Sequence, residues 1–223
     1  LAEGWVKKLT TAGDAVKNTD KLINIQGLRG SNYDDLLIGG NKANDGFERF
    51  YGNKGNDTID GGTGYDRADY HNSPGPVTVQ LSGSGEGWAS DGFGTRDILR
   101  NIEGVSGSSF DDLLMGTDDA PFESFEGMWG NDTIDGRGGI DRLDLARSGM
   151  GATVVLGLNQ ADGYAIDGQA SFITGLSSRD ILRGIEYVRG GIFDDSITGN
   201  EQNNKLEGQA GKDTLNGGTG NDT

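Results

Sequence analysis

A nine-residue period constrains this chain more than any other feature. In GNDTIDGGTGYD, residues 55–66, Gly55-Asn56-Asp57 and Gly64-Tyr65-Asp66 stand nine residues apart, each closing on an Asp. From Gly190 the period is cleanest: GGIFDDSIT, GNEQNNKLE, GQAGKDTLN and GGTGNDT follow one another. Each unit is a Gly-rich turn of six residues ending in Asp or Asn, then three residues whose middle one is apolar. Those middle residues are Leu37, Ile59, Ala68, Leu114, Ile134, Leu143, Ile197, Leu206 and Leu215. Successive strand residues face opposite ways, so a three-residue strand points one side chain inward. Repeats of this kind predict stacked rungs that build a single row of core residues.

A longer repeat is laid over the short one. GNDTIDG at 55–61 returns at 130–136 and as GKDTLNG at 211–217, and YDDLL at 33–37 returns as FDDLL and FDDSI. RDILRNIEGV at 96–105 returns as RDILRGIEYV at 179–188, with a weaker copy, DKLINIQGL, at 20–28. The expected fold is therefore all-β, with β-roll blocks joined by β-rich linkers. The expected divisions are a partial linker at 1–29, roll block 1 at 30–69, a linker at 70–106, roll block 2 at 107–144, a linker at 145–189, and a truncated roll block 3 at 190–223. The chain starts and stops within the pattern, which suggests a piece of something larger.

Composition shows what such rungs lack. Hydrophobic residues are 33% of the chain, against 41 Gly and a net charge of −16. Globular domains carry roughly 45–50% apolar residues even with Gly counted among them, so something besides a hydrophobic core must stabilise this fold. The acids are 26 Asp against nine Glu. That bias suggests a carboxylate working close to the backbone. There is no Cys and one His, His71, which rules out thiolate sites and points away from Zn, Cu and Fe. Net acidity argues against nucleic acid and anionic lipid. No apolar run approaches the ~20 residues of a membrane helix.

The rungs resemble the Gly-Gly-x-Gly-x-Asp-x-apolar-x nonapeptide of repeats-in-toxin (RTX) proteins, whose parallel β-roll binds calcium. The resemblance implies several Ca2+ ions, with ligands at Asp57, Asp66, Asp132, Asp141, Asp213 and Asp222, and at Asp35, Asp112 and Asp195 in the first rung of each cassette. Physical reasoning points to the same ion. Two rungs make one coil, so turns n and n+2 stack about 4.8 Å apart. Calcium accepts six to eight oxygens at roughly 2.3–2.6 Å in flexible geometry, and stacked turns offer carboxylates and carbonyls. Asp35 is expected to stack with Asp57, Asp112 with Asp132, and Asp195 with Asp213. On the other side Asn204 replaces Asp, and the irregular second rungs carry Asp45 and Asp118–Asp119 at an undefined register. Asp beside Gly also forms simple Asx-turns, but Asp stacked every second turn without a cation would repel. About two ions per cassette would bring roughly +12 against the −16.

The linkers begin with alternating segments, VTVQL at 77–81 and ATVVL at 152–156, followed by Gly-rich aromatic stretches. Leu99, Ile102, Val105 and Leu182, Ile185, Val188 fall three apart, which suits a solenoid coil better than a helix. Trp5, Trp88, Phe93, Tyr164 and Phe172 read as packing residues, and His71 as a linker surface residue. Pairs such as Asp34–Asp35 or Glu123–Glu126 single out no glycosidase site among 35 carboxylates. The third rung position varies too much for an ice-binding row.

The expectation is a non-catalytic, calcium-binding RTX repeat domain of a larger secreted bacterial protein, a toxin or adhesin. By resemblance, it is exported through a type I channel and folds outside in calcium. Two alternatives stand beside it: an adhesion or carbohydrate-binding module meeting a cell-surface target through linker aromatics, and an accessory module of a secreted polysaccharide-modifying enzyme. Oligomeric state is not legible.

Overall fold

A computed structural model describes residues 3–8, 18–23, 25–40, 47–158, 161–167 and 178–223, with backbone alone for 3–8, 18, 19, 22 and 23. Asp45 and Phe172 lie outside the described residues, as does the side chain of Trp5. The described residues form 22 short strands and no helix, arranged in one sheet of 14 strands and one of eight.

The eight-stranded sheet is parallel throughout. In order it runs Gly27–Arg29, Phe47–Tyr51, Tyr65–Asp69, Gly104–Ser106, Glu123–Glu126, Asp141–Asp144, Tyr187–Arg189 and Lys205–Glu207. Its register stacks Leu28, Phe50, Ala68, Val105, Phe125, Leu143, Val188 and Leu206 in one unbroken inward row. All eight are buried. Each linker contributes one strand to this sheet, next to the rung strands and without a break.

The 14-stranded sheet holds the other half of each coil. Leu37 pairs with Ile59, Leu114 with Ile134, and Ile197 with Leu215, in parallel. Turns n and n+2 thus lie on one side, as two rungs per coil require. At each linker the sheet gains a three-stranded meander. Arg96–Arg100 pairs parallel with Thr58–Asp60, Gly87–Ser90 runs back, and Thr78–Gln80 pairs parallel with the next rung strand, Leu113–Met115. Asp180–Arg183, Gly163–Ile166 and Thr153–Val155 repeat this arrangement. The linkers therefore continue the roll. Leu99, Ile102, Val105 and their later copies Leu182, Ile185 and Val188 are all buried, as the spacing of three predicts.

The two sheets differ by six strands, 14 against 8. Two are Glu3–Lys8 and Asn18–Ile23, an antiparallel hairpin at the sheet's end. The other four are the two extra strands of each linker. At about 4.8 Å per strand, each linker lengthens one wall of the roll by about 10 Å relative to the other. Val77, Val79, Leu81 and Ala89 fill the extra width at the first linker, and Ala152, Val154, Leu156 and Ala165 at the second.

Eight of the nine middle rung residues are buried; Leu215, on the outermost strand, is 46% exposed because no further coil covers it. The outward face of the eight-stranded sheet is tied by ion pairs. Arg67 reaches Asp69 at 2.8 Å and Glu126 at 3.0 Å, and Arg189 pairs with Asp144. Trp88 lies under Arg96 and Tyr164 under Arg179, each with 4.4 Å from guanidinium carbon to ring centroid. These are packing arrangements of the kind a cation and a ring favour.

Candidate metal centre

The turn backbone repeats as closely as the sequence. The second position of each regular rung is left-handed: Asn53, Gly62, Met128, Arg137, Gln209 and Gly218 have φ between 65° and 91°. Two residues on, Gly55, Gly64, Gly130, Gly139, Gly211 and Gly220 have φ between 115° and 142°. L side chains rarely adopt that second conformation. A Cβ at Gly130 would also collide with the carbonyl of Phe110 in the coil below. The glycines therefore allow both the turn and its close stacking.

On one edge the third rung of each block has a turn that ends on an acid whose carboxylate is tied to the preceding coil. Asp57 Oδ1 accepts the N–H of Asp35 at 2.8 Å, Asp132 Oδ1 that of Asp112 at 2.9 Å, and Asp213 Oδ1 that of Asp195 at 2.9 Å. The three expected stacks are thus present. Asp35, Asp57, Asp66, Asp112, Asp132, Asp141 and Asp195 are each at most 3% exposed. Asp213 and Asp222, on the outermost coil, are half-buried.

Linker residues not singled out in the sequence extend these columns. The N–H of Asp57 donates to Asp97 Oδ1 at 3.0 Å, and that of Asp132 to Asp180 Oδ1 at 3.0 Å. On the opposite edge the N–H of Asp66 donates to Glu103 at 2.9 Å, and that of Asp141 to Glu186 at 3.1 Å. The irregular rungs contribute glutamates. Glu48 pairs across from Asp66 and Glu123 from Asp141, while Asp118 and Asp119 stand exposed on the turn. One signal marked the linker acids: RDILR-x-IE-x-V recurs with both of them in place.

The two edges differ in continuity. On one edge the columns Asp35–Asp57–Asp97, Asp112–Asp132–Asp180 and Asp195–Asp213 are separated by the linker meanders. The next column starts where a linker N–H, Val77 or Ala152, donates to Asp112 or Asp195 at 2.8 and 2.7 Å. The other edge has no inserted strands, so its turn positions stack without interruption: Glu48, Asp66, Glu103, Glu123, Asp141, Glu186, Asn204 and Asp222.

The inner oxygens have no protein partner. Asp35 Oδ1, Asp57 Oδ2, Asp132 Oδ2 and both carboxylate oxygens of Asp141 are buried without a hydrogen bond. Burial, then the charge of Asp97, pushes the Asp57 carboxyl up to about 8. Burial, then Glu123 and Glu186, pushes Asp141 up to about 8. Burial raises Asp112 to about 6 and Asp97 and Glu123 to about 7. Asp132 and Asp180 are raised by burial, and Asp132 next by the charge of Asp180. Buried carboxylates of like charge are costly unless a cation joins them.

Backbone carbonyls stand beside them. A Cβ at Gly30 would lie 2.6 Å from the Gly52 oxygen and 2.7 Å from Asp35 Oδ2. Gly107 has the same neighbours, the Gly127 oxygen at 2.6 Å and Asp112 Oδ2, and Gly190 has the Gly208 oxygen at 3.0 Å and Asp195 Oδ2. Among the described residues no three Asp, Glu, His or Cys side chains gather on one point. The donors are carboxylates of successive turns plus carbonyls, all of them oxygen, a set that fits calcium. His71 takes no part; its Nδ1 lies 2.5 Å from Asp69. Nor do Glu123 and Glu126 form a pair, since Glu126 is bound by Arg67 and Arg147.

Comparison with known proteins agrees with this geometry. The sequence model of the RTX calcium-binding nonapeptide repeat (4 copies) matches residues 42–68, 124–144 and 189–223. No curated protein matches the chain. The matched segments include Asp57, Asp66, Asp132, Asp141, Asp195, Asp213 and Asp222; Asp35, Asp112 and the linker acids lie outside them.

Proposed function

Because this chain carries RTX calcium-binding nonapeptide repeats, we propose that it is a calcium-dependent folding module of a larger secreted bacterial protein. Its ligands are Asp35, Asp57, Asp66, Asp112, Asp132, Asp141, Asp195, Asp213 and Asp222, together with glycine carbonyls of the stacked turns. The three roll blocks at 30–69, 107–144 and 190–223 bind several ions, and the role is structural, not catalytic. One observation carries this reading: the columns of the first two cassettes bury carboxylates whose inner oxygens, at Asp57 and Asp132, have no partner in the protein. A divalent cation satisfies those oxygens and cancels the like charge at once.

Export follows from the same physics. RTX repeats typically occur in exported proteins. A chain of net charge −16 with stacked acids is held open where calcium is scarce, so it can thread a one-step (type I) channel unfolded. It then folds outside by mass action, since ions bind the folded form and not the open chain. No helix among the described residues is long and apolar enough to cross a membrane. The parent protein acts as a toxin or adhesin in this reading.

The test is a titration of chelated protein with calcium and with magnesium, followed by far-UV circular dichroism. Calcium is expected to restore strand structure steeply. Magnesium needs a tight octahedron at about 2.0–2.1 Å and sheds water reluctantly, so it restores little. Equal gain with both ions at equal concentration, or full structure in chelator, overturns the proposal.

A further inference from the structure

The continuous edge of the roll carries acids that the repeat pattern does not cover. Asp141 is wholly buried and neither of its carboxylate oxygens has a hydrogen-bond partner. Its neighbour in the coil below is Glu123, 1% exposed, which lies opposite it in the strand register. Its neighbour above is Glu186, which accepts the N–H of Asp141 at 3.1 Å. The charged groups acting most strongly on Asp141 are Glu123, Glu186 and Asp135, all acids. An isolated buried carboxylate among acids lacks the countercharge that burial demands.

The side chain of Glu123 shares two contacts with the acid of a first rung. A Cβ at Gly116 would stand 2.6 Å from the Gly136 oxygen and against Glu123 Oε2. At Gly107 the corresponding atoms are the Gly127 oxygen and Asp112 Oδ2. Glu123 Oε2 also accepts the N–H of Thr117 at 2.8 Å, as Asp112 Oδ2 accepts that of Ser108. The carboxylate of Glu123 is thus placed beside the Gly136 carbonyl as that of Asp112 is beside the Gly127 carbonyl, while the Glu123 N–H donates to the Ile140 carbonyl at 3.3 Å and leaves Asp141 free of it.

Turn length explains the change of residue. In the regular rung, residues 136–140 separate the strands Thr133–Asp135 and Asp141–Asp144. In the irregular rung, residues 116–122 separate Leu113–Met115 from Glu123–Glu126, two residues more. The longer turn brings Glu, not Asp, to the position opposite Asp141 in the strand register. In the linker coil only residues 184–186 intervene between Asp180–Arg183 and Tyr187–Arg189. There Glu186 reaches back to the Asp141 N–H from a turn cut short.

We infer that Glu123, Asp141 and the carbonyl of Gly136 form a calcium site on the continuous edge, with Glu186 as the positioning residue that fixes Asp141. This site rests on the calcium-binding reading of the chain and extends it past the nonapeptide pattern. Glu48 pairs with Asp66 beside the Gly61 carbonyl in the same way, so each of the first two cassettes has such a site.

The test is an ion count by native mass spectrometry and equilibrium dialysis with calcium alone. The Asp–Asp stacks Asp35–Asp57, Asp112–Asp132 and Asp195–Asp213 are three in number. The unmutated chain is expected to hold more than three ions at saturation; three or fewer overturns the inference whatever the variants do. Glu123→Gln keeps the shape and is expected to bind one ion fewer than the unmutated chain. Asp132→Asn is expected to lose binding on the other edge, and exposed Glu86→Gln to lose none. If Asp132→Asn loses an ion and a folded Glu123→Gln does not, this site is wrong and the calcium reading stands. If the unmutated chain binds no calcium, the calcium reading itself fails. Glu186→Ala, which removes the acceptor of the Asp141 N–H, is expected to weaken one site about tenfold while leaving the count unchanged, a split that loss of a ligand does not give, and Glu186→Gln, which keeps an acceptor there, is expected to restore most of the affinity.

Discussion

Asp132 Oδ1 accepts the backbone N–H of Asp112, twenty residues earlier, at 2.9 Å. One oxygen thus ties two coils together while Oδ2 remains buried and unpartnered. In the proposed reading, structural and ion-binding roles are divided between two oxygens of one carboxylate. Asn at this position keeps the acceptor and loses the charge. Asp132→Asn is therefore expected to raise the calcium concentration for half-folding by about tenfold, equal to about 1.4 kcal/mol. In chelator it is expected to be slightly more ordered than the unmutated chain, because a column of three acids has lost one charge. Parallel calcium titrations by circular dichroism check both effects; superimposable curves would show that Asp132 holds no ion.

The same columns set an unusual pH dependence. The Asp57 and Asp141 carboxyls rise from 3.8 to about 8 in the fold. A raised carboxyl binds more protons folded than unfolded, so its contribution is fully present below about pH 4 and is lost as pH climbs through about 8. Metal-free protein is expected to show more strand structure at pH 5.5 than at pH 8.0, both clear of the pI of about 4.3. With calcium the slope reverses. Protons compete for the same oxygens, so the calcium midpoint rises as pH falls. Circular dichroism of exhaustively dialysed protein at the two pH values tests the first half. A gain of structure on raising the pH without calcium would contradict it.

Turn glycines separate conformation from space. Gly130 has φ +128° and its missing Cβ would strike the carbonyl of Phe110. Gly94 has φ +87° with nothing within 4 Å of a Cβ. Gly130→Ala is expected to cost about 2–4 kcal/mol, from backbone strain and collision with a backbone that cannot yield. Gly94→Ala bears conformational strain alone, about 1 kcal/mol. Denaturant melts in saturating calcium measure both; equal losses would mean that stacking of successive turns is looser than described.

What could be read from the sequence was whatever kept the nine-residue period. The rung apolar residues and the stacks Asp35–Asp57, Asp112–Asp132 and Asp195–Asp213 followed from spacing, because one rung fixes one strand and one turn. The linkers were expected to be β-rich, and Leu99 and Val105 fell where a coil needs them. Glu48 and Glu123 were missed because their turns are longer than six residues. A fixed nine-residue spacing marks Asp positions alone, whereas Glu48 and Glu123 come to lie opposite Asp66 and Asp141 after longer turns. Asp97 and Glu103 were missed for the complementary reason: they stand six residues apart in a coil with a shortened turn, so a spacing of nine does not connect them. The insertion of two strands into only one sheet has no local signature, since it depends on which neighbour each linker strand selects.

Position along the roll decides what a core residue contributes. Ile134 has no exposed surface and lies between Leu114 and Leu182 in the 14-stranded sheet. Leu215 occupies the corresponding rung position on the outermost strand and is 46% exposed, with Ile197 as its partner on one side only. Ile134→Ala removes packing on both sides and leaves a cavity between coils held at fixed spacing, so a loss of about 2–5 kcal/mol is expected. Leu215→Ala is expected to cost less than about 1 kcal/mol. Because stacked repeats transmit order between nearest neighbours, the first substitution is also expected to broaden the calcium transition, while the second leaves its steepness unchanged. Hydrogen exchange at saturating calcium distinguishes the two. Faster exchange in both Leu113–Met115 and Asp180–Arg183 for Ile134→Ala, with exchange for Leu215→Ala altered only in Ser196–Thr198 and beyond, is the expected pattern. Equal and chain-wide effects of the two would mean that the roll is held as one rigid unit and not coil by coil.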